Sequence, residues 1–120
     1  MPSVINEPLA VQWLELLRVQ LCYASLHFEV PSIDNPLASE VDDLTYSRAD
    51  LTWEYGAARA LRNIPLMQWL NLSAVTIEAI GVWDDPTAGE LLVTVVLDDP
   101  IQVANLGSYA LGAGLLWVAV

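Results

Sequence analysis

The stretch Gly81–Leu92, which reads GVWDDPTAGELL, decides how the fold of this chain is predicted. Its centre combines two adjacent aspartates, a proline and a glycine. Because Asp side chains bond to nearby backbone amides and proline fixes φ, this composition favours a turn. The runs on either side, Val75–Trp83 and Glu90–Leu97, are rich in β-branched residues, which favour strands. The stretch therefore predicts a β-hairpin whose tip carries Asp84 and Asp85.

Similar turn signals divide the rest of the chain into short segments. Asp98-Asp99-Pro100 is predicted to be a second hairpin tip. Further strands are predicted at Ser47–Glu54 (with Ala49, Leu51 and Trp53 inward), Ile101–Ala104, Ser108–Leu111 and Leu115–Val120. Pro31–Leu44 is predicted to be a surface loop, and Ala57–Leu72 a strand or an irregular crossover. Many short strands separated by turns indicate an all-β architecture.

The N-terminal part of the chain predicts one helix followed by a strand. Pro8–Leu17 is predicted to be helical, with these apolar residues on one face: Leu9, Trp13, Leu16 and Leu17. From Arg18 the pattern has a period of two, which predicts these inward residues: Val19, Leu21, Tyr23, Leu26, Phe28 and Val30. This register points His27 outward. We therefore expect a single domain over residues 1–120, an antiparallel β-sandwich of jelly-roll-like arrangement with one short N-terminal helix.

The composition restricts the partners that the protein can have. The formal net charge is −11, with 15 acidic residues against four arginines. A field of this sign repels phosphate backbones and anionic lipid surfaces, so we expect neither nucleic acid nor membrane as a partner. Hydrophobic residues make up 55% of the chain, which is more apolar surface than a small core readily holds. This excess favours packing against neighbouring proteins.

No motif in the sequence indicates a catalytic, cofactor or metal site. Asp84 and Asp85 are adjacent and would point apart on extended backbone, unlike the alternating ligands of a calcium loop. A loop calcium site that adds Asp98 or Asp99 is the alternative. The single histidine, His27, has serines nearby but no nucleophile motif, so a surface or hydrogen-bonded histidine is favoured. We therefore predict no enzyme activity, no cofactor and no metal.

Tryptophan is abundant, with five residues in 120. Core packing accounts for Trp53 and Trp117, which lie in predicted strands. The residues that we predict to form a partner interface are Trp13, Leu16, Leu17 and Trp69. Sugar binding by exposed tryptophans is the alternative, because aromatic rings stack on sugars. The only cysteine, Cys22, lies in an apolar run and is predicted to be a buried, inert thiol.

Five short motifs follow one another along nearly the whole chain. They are Val19–Ser25, Glu40-Val41 with Tyr46-Ser47-Arg48, Gly81–Asp84 with Gly89–Leu92, Leu97 with Pro100 and Val103, and Ala113–Trp117. In this order and spacing they resemble a family of small bacteriophage virion proteins of the tail fibre or minor tail protein type. One departure is at Asp42–Thr45, where the family tends to place glycines before the tyrosine.

The resemblance implies a non-enzymatic structural protein that is located in the virion after assembly in the host cytoplasm. A tail-associated or fibre-associated protein is the first expectation. The alternatives are a capsid decoration protein that stabilises the head shell and a host-glycan-binding module. Other virion proteins are the expected partners, and a homo-oligomer with closed symmetry, such as a trimer, is expected. The resemblance supplies no catalytic residues.

Overall fold

The computed structural model describes residues 7–43, 46–56 and 60–119. Within these residues the chain forms one α-helix, α1 (Glu7–Arg18), and one 3₁₀-helix (Pro36–Ser39). The strands are β1 (Cys22–His27), β2 (Ala49–Leu51), β3 (Trp53–Tyr55), β4 (Ala60–Asn63), β5 (Met67–Leu72), β6 (Val75–Trp83), β7 (Leu91–Val103), β8 (Gly107–Leu111) and β9 (Trp117–Ala119). No helix in this part of the chain is long and apolar enough to cross a membrane.

The strands form three sheets, which we call A, B and C. Sheet A has the order β2-β1-β6-β7, sheet B the order β3-β4-β9, and sheet C the order β5-β8. All of these neighbours pair in the antiparallel direction. The predicted all-β antiparallel class with one short N-terminal helix is therefore confirmed. The jelly-roll-like arrangement is not confirmed by this strand order.

One cluster of buried apolar side chains joins α1 to all three sheets. Leu14 of α1, Leu26 of sheet A, Leu61 of sheet B and Trp69 of sheet C all belong to it. Burial of such side chains is the main term that stabilises a fold of this size. Helix α1 extends the predicted helix by one residue at each end, and Arg18 lies favourably in its last turn.

The apolar face that was predicted for α1 is confirmed at Leu17 and wrong at Trp13 and Leu16. Leu14 and Leu17 point into the core and are 1% and 8% exposed, whereas Trp13 and Leu16 are 49% and 64% exposed. Leu14 and Leu17 are three positions apart, so they lie on the same side of the helix. The side chain of Leu9 lies outside the described part of the chain.

The predicted hairpin at Gly81–Leu92 is confirmed, but the second hairpin tip is wrong. Strand β6 has the predicted bounds and pairs with β7 around the Asp84–Glu90 turn. Strand β7 continues through Asp98-Asp99-Pro100, where the pairing shifts from Ala79↔Val96 to Ile77↔Ile101. The four residues between Val96 and Ile101 thus form a bulge. Proline fits there because β7 is an edge strand and a bulge leaves backbone groups out of the ladder.

The register that was predicted for the first strand is also wrong, although Leu26 is buried as predicted. Strand β1 begins at Cys22, and Cys22, Ala24 and His27 are all 0% exposed. The residues before and after the strand are largely exposed instead: Val19, Leu21, Phe28 and Val30. The 3₁₀-helix lies within the predicted surface loop, which returns to pair Glu40 with the end of β1. Because β1 lies between β2 and β6, burial overrides the alternation that the sequence shows.

The predicted strand at Ser47–Glu54 is divided between two sheets. Strand β2 belongs to sheet A and β3 to sheet B, with Thr52 between them. Leu51 and Trp53 are buried, as predicted. The ambiguous segment that follows contains β4 and β5, and its residues 57–59 lie outside the described part of the chain, as does Val120.

Candidate functional site

The most densely hydrogen-bonded group of side chains surrounds Arg48. We call it the Arg48 cluster: Glu40, Tyr46, Arg48 and Trp83, with the Asp84–Glu90 turn. Arg48 Nε and Nη2 donate to the two carboxylate oxygens of Glu40, each at 2.9 Å. The side chains of this pair are only 2% and 11% exposed. A two-pronged pair of this kind combines charge with fixed geometry, which makes it stronger than a neutral hydrogen bond.

Arg48 also holds the hairpin turn. Its Nη1 donates to the carbonyl oxygens of Asp85 and Ala88, at 2.7 and 2.8 Å. The guanidinium carbon lies 3.9 Å from the centre of the Trp83 ring, which is cation–π distance. Four of the five donors of an arginine are thereby used. Arg48 therefore ties the loop that carries Glu40 to the tip of the β6–β7 hairpin.

Tyr46 completes the cluster on the side of β1. Its hydroxyl donates to Glu40 Oε2 at 2.6 Å and accepts from the Leu26 amide at 3.1 Å. Burial and the neighbouring Glu40 carboxylate raise the pKa of Tyr46 well above its usual range, so the hydroxyl remains a donor. The carboxylate of Glu40 thus receives three hydrogen bonds, two from Arg48 and one from Tyr46.

The two aspartates of the turn bond to its backbone. Asp85 Oδ1 accepts from the amides of Thr87 and Ala88, both at 2.9 Å, and Asp84 Oδ1 accepts from the Glu90 amide at 2.8 Å. The Thr87 and Ala88 amides lower the pKa of Asp85. Gly89 closes the turn at a φ of +74°, which a glycine adopts without strain. The prediction that these carboxylates are turn residues is confirmed.

His27 extends the polar network into the middle of sheet A. Its Nε2 lies 2.6 Å from Ser25 Oγ and its Nδ1 lies 2.9 Å from Ser39 Oγ. Ser25 Oγ also accepts from Trp83 Nε1 at 2.7 Å, which connects His27 to the Arg48 cluster. Burial lowers the pKa of His27 to about 4, so the ring is neutral near pH 7. The prediction that His27 points outward is wrong, because the loop that carries Ser39 covers it.

Gly81 is the position where β6 passes closest to this histidine. A Cβ atom at Gly81 would lie 2.5 Å from Ser25 Oγ and 2.8 Å from His27 Nε2. Both distances are shorter than a normal contact, so only glycine leaves room for the Ser25–His27 hydrogen bond. The glycine at the start of the Gly81–Leu92 stretch is therefore explained by close packing.

A second buried polar group, the Asn63 cluster, lies at the end of sheet B. Asn63 is 0% exposed, and its Nδ2 donates to the carbonyls of Pro65 and Gly112 at 2.9 and 3.0 Å. Its Oδ1 accepts from the Leu116 amide at 2.9 Å. The backbone of Asn63 bonds to the same loop, with its carbonyl accepting from the Gly114 amide. One neutral amide thus fixes the turn that leads into β9.

These clusters are built for structural roles. A Ser–His pair at hydrogen-bond distance can activate a nucleophile, but Ser25 and His27 are both 0% exposed. Within the described residues, no three His, Cys, Asp or Glu side chains are gathered as a metal site. Asp98–Asp99 lie opposite Glu78, about six residues of strand or roughly 20 Å from Asp84, so the two acidic pairs do not converge. Cys22 is buried as predicted, and burial raises the pKa of its thiol.

The structure separates the four predicted interface residues into two pairs. Trp13 and Leu16 lie on the exposed side of α1, whereas Leu17 and Trp69 are 8% and 3% exposed and lie in the core. Trp69 stacks on Tyr109 with ring centres 6.0 Å apart. Trp117 was assigned to the core but is 47% exposed. An interface role thus remains a proposal only for Trp13 and Leu16.

Most of the chain matches a known protein family. A family model described as Podophage GP4 fiber I protein gp80 matches residues 17–118. The chain belongs to this family. The resemblance to phage tail fibre proteins is therefore confirmed, while no curated protein matches the chain. The gp80 match includes both polar clusters and all nine strands except the last residue of β9, and it leaves out most of α1.

Two of the five sequence motifs meet in space at the Arg48 cluster. Glu40, Tyr46 and Arg48 come from one motif, and Trp83 with the turn comes from another. The predicted alternation, with Ala49, Leu51 and Trp53 inward, places Arg48 outward, which is wrong because Arg48 is 7% exposed. The available signal was Arg48, one of only four cations in a chain of 15 acids, placed within a predicted strand beside apolar residues. Such a cation is buried only with a partner.

Proposed function

We propose that this protein is a non-enzymatic structural component of a phage tail fibre, and that it binds other virion proteins through the exposed side of α1. The membership of the gp80 family supports the fibre assignment. The observation that carries the contact surface is the position of Trp13 and Leu16, 49% and 64% exposed, on the same helix as the core residues Leu14 and Leu17. Tryptophan is enriched at protein interfaces, and Leu16 lies one helical turn from Trp13 on the same side of α1.

A groove beside this helix face strengthens the proposal. It has a volume of about 320 Å³ and is lined by Trp13, Leu14, Leu17, Gln20, Leu92, Val93 and Val118. None of these residues is charged, although the chain has 19 charged residues, namely 15 acids and four arginines. Depletion of charge is the compositional mark of the buried centre of an interface. We call Trp13, Leu16 and this groove the α1 surface.

The test is incorporation of variants into phage particles that lack the native protein. We expect Trp13→Ala combined with Leu16→Ser to lower the number of copies per particle about tenfold, with the melting curve of the purified protein little changed. Leu66→Ser is the matched control, because Leu66 is 58% exposed and is not part of the α1 surface. Normal incorporation of the double variant would contradict the contact surface.

The position on the particle is tested separately by gold labelling of the protein in electron micrographs. We expect the label on the tail fibres. Label on the head shell would favour the capsid decoration alternative instead.

Host-glycan binding is supported by the half-exposed ring of Trp117, which could stack on a sugar. That alternative predicts binding to a glycan array that is lost in Trp117→Ala and kept in Trp13→Ala.

A further inference from the structure

The outer edge of β7 is the longest unpaired edge in sheet A. Strand β7 is the last strand of its sheet, and no strand in the described ranges pairs with its outer side. An open edge presents unpaired amides and carbonyls, which natural proteins protect with charges, prolines or bulges. Strand β7 has charges and a proline only in the Asp98–Pro100 bulge. From Leu91 to Leu97 it carries no charge and no proline, although the pairing with β6 shifts at Leu92.

A groove runs beside this unprotected part of the edge. It has a volume of about 460 Å³ and touches six consecutive residues, Gly89–Thr94, with the 31–36 loop on its other wall. Successive side chains of a strand point to opposite faces, so a groove that touches the strand residues Leu91–Thr94 in a row follows the backbone edge. Ile33, on the opposite wall, is 99% exposed. The groove thus offers an extended segment both backbone partners and an apolar cover.

The sequence of the edge is close to symmetric about Thr94. Residues 91–97 read LLVTVVL, so the reversed order differs only by the exchange of leucine and valine. Two copies that pair antiparallel about Thr94 would place Leu91 opposite Leu97, Leu92 opposite Val96 and Val93 opposite Val95. The residues with exposed side chains, Leu92, Thr94 and Val96, would then face one another across the pair. Cross-strand pairs of β-branched and apolar residues stabilise sheets.

We propose that two copies of this protein associate through β7, paired antiparallel with a two-fold axis at Thr94, so that two four-stranded sheets become one of eight strands. The self-complementary segment Leu91–Leu97 selects a second copy as the occupant of the edge, because a two-fold interface uses the same surface on both subunits. The irregular pairing at both ends of the segment limits the contact to this register. The association concerns the purified protein, and it shares Leu92 and Val93 with the groove of the α1 surface.

The charges give this dimer a defined dependence on salt. In the proposed register Glu90 of one copy lies opposite Asp98 of the other, and each copy has a formal net charge of −11. Like charges that face each other across strands destabilise the pair, and salt screens them. We therefore expect the dimer to dissociate at low ionic strength and to be about tenfold tighter near 0.5 M salt.

The first test uses a single engineered cysteine. Cys22 is 0% exposed, so Thr94→Cys provides the reactive thiol. A two-fold axis at this residue brings the two introduced thiols together, and a short bismaleimide should give mostly cross-linked dimer. Gln102→Cys, exposed in the same strand, is the control and should cross-link at least tenfold less. Equal cross-linking of the two variants, or none with Thr94→Cys at 100 µM protein, would overturn the proposal.

The second test is analytical ultracentrifugation of a charge variant. Val96→Lys places a cation on the edge and should weaken the dimer at least tenfold. Leu66→Lys is the matched control, since the two side chains are 56% and 58% exposed, and it should leave the dimer unchanged. A wild-type protein that stays monomeric at high salt, or a trimer unaffected by Val96→Lys, would overturn the proposal. If the purified protein dimerises as predicted but is absent from phage particles, only the proposed function is contradicted.

Discussion

The Arg48 and Asn63 clusters both hold loop backbone with a buried polar side chain, but the first is charged and the second is neutral. Each buries a polar side chain that binds loop backbone distant in sequence: Arg48 reaches Asp85 and Ala88, and Asn63 reaches Gly112 and Leu116. The Arg48 cluster contains an ion pair, whereas the Asn63 cluster is neutral. A buried charge that loses its partner costs more than a neutral amide group that does. The two clusters should therefore differ in their tolerance of substitution.

The largest effect is expected for Arg48→Ala. This change leaves the carboxylate of Glu40 buried without its cation and frees two carbonyls of the hairpin turn. We expect the free energy of unfolding to fall by about 3–5 kcal/mol, the usual cost of breaking a buried pair. Chemical denaturation of the purified variant measures it. Arg62→Ala is the control, because its pair with Glu54 is about 40–50% exposed and should contribute no more than about 1 kcal/mol.

A smaller loss is expected for Asn63→Ala. The substitution leaves the Leu116 amide and the carbonyls of Pro65 and Gly112 without their side-chain partner. Because these groups are neutral, we expect a loss of about 2–3 kcal/mol in the same measurement. Asn35→Ala, in an exposed loop where the side chain makes no capping bond, should change stability by less than about 0.5 kcal/mol. A loss for Asn63→Ala that exceeds the loss for Arg48→Ala would reverse the comparison.

Acid should lower the free energy of unfolding of the protein through His27. The pKa of its ring falls from 6.5 to about 4 on folding, mainly by burial, while Glu40 opposes and Arg48 adds to the shift. The unfolded chain binds the proton first, so stability is full above pH 6.5 and is lost as the pH falls towards 4. Between pH 7 and pH 5 the loss should be about 2 kcal/mol.

Denaturation at a series of pH values tests this dependence. His27→Gln keeps a polar side chain but cannot take up a proton in this range, so its stability should vary little between pH 7 and pH 5. Asn63→Ala should keep the full dependence of the wild-type protein, since His27 is unchanged. An equal slope in wild type and His27→Gln would show that another group is responsible.

The elements that depend on neighbouring residues in the sequence were predictable. The helix at 7–18 and the hairpin at Gly81–Leu92 follow from proline, turn aspartates and β-branched runs that act on their neighbours in sequence. The position of Asp84 and Asp85 was predictable for the same reason. The α1 surface was half predictable: helical spacing identifies an apolar helix, but which residues face the core depends on the sheets that it meets.

The remainder depends on contacts between distant residues. His27 is buried because the loop with Ser39 returns over β1, twelve residues later. Asp98–Pro100 lies in a strand because the neighbouring β6 continues beside it, although its composition is that of a turn. Arg48 meets Glu40 and the hairpin turn across separations of 8 to 40 residues. In each case tertiary contact overrides a local preference that points elsewhere.

The smallest effect separates the two acidic pairs, which look alike in sequence. Asp85→Ala removes the acceptor of the Thr87 and Ala88 amides, next to the carbonyls that Arg48 holds, so we expect Tm to fall by about 3 °C. Asp99 lies in the exposed bulge of β7, so Asp99→Ala should leave Tm within about 1 °C. A slight rise is also consistent, since the change removes one negative charge from a chain at −11.

The lowered pKa of Asp85 means that its contribution is present near pH 7 and is lost on acidification, so the difference between the two variants should shrink at pH 3. Thermal melts of both variants at the two pH values measure this difference, and equal melting temperatures at pH 7 would show that the turn aspartates contribute no more than any surface acid.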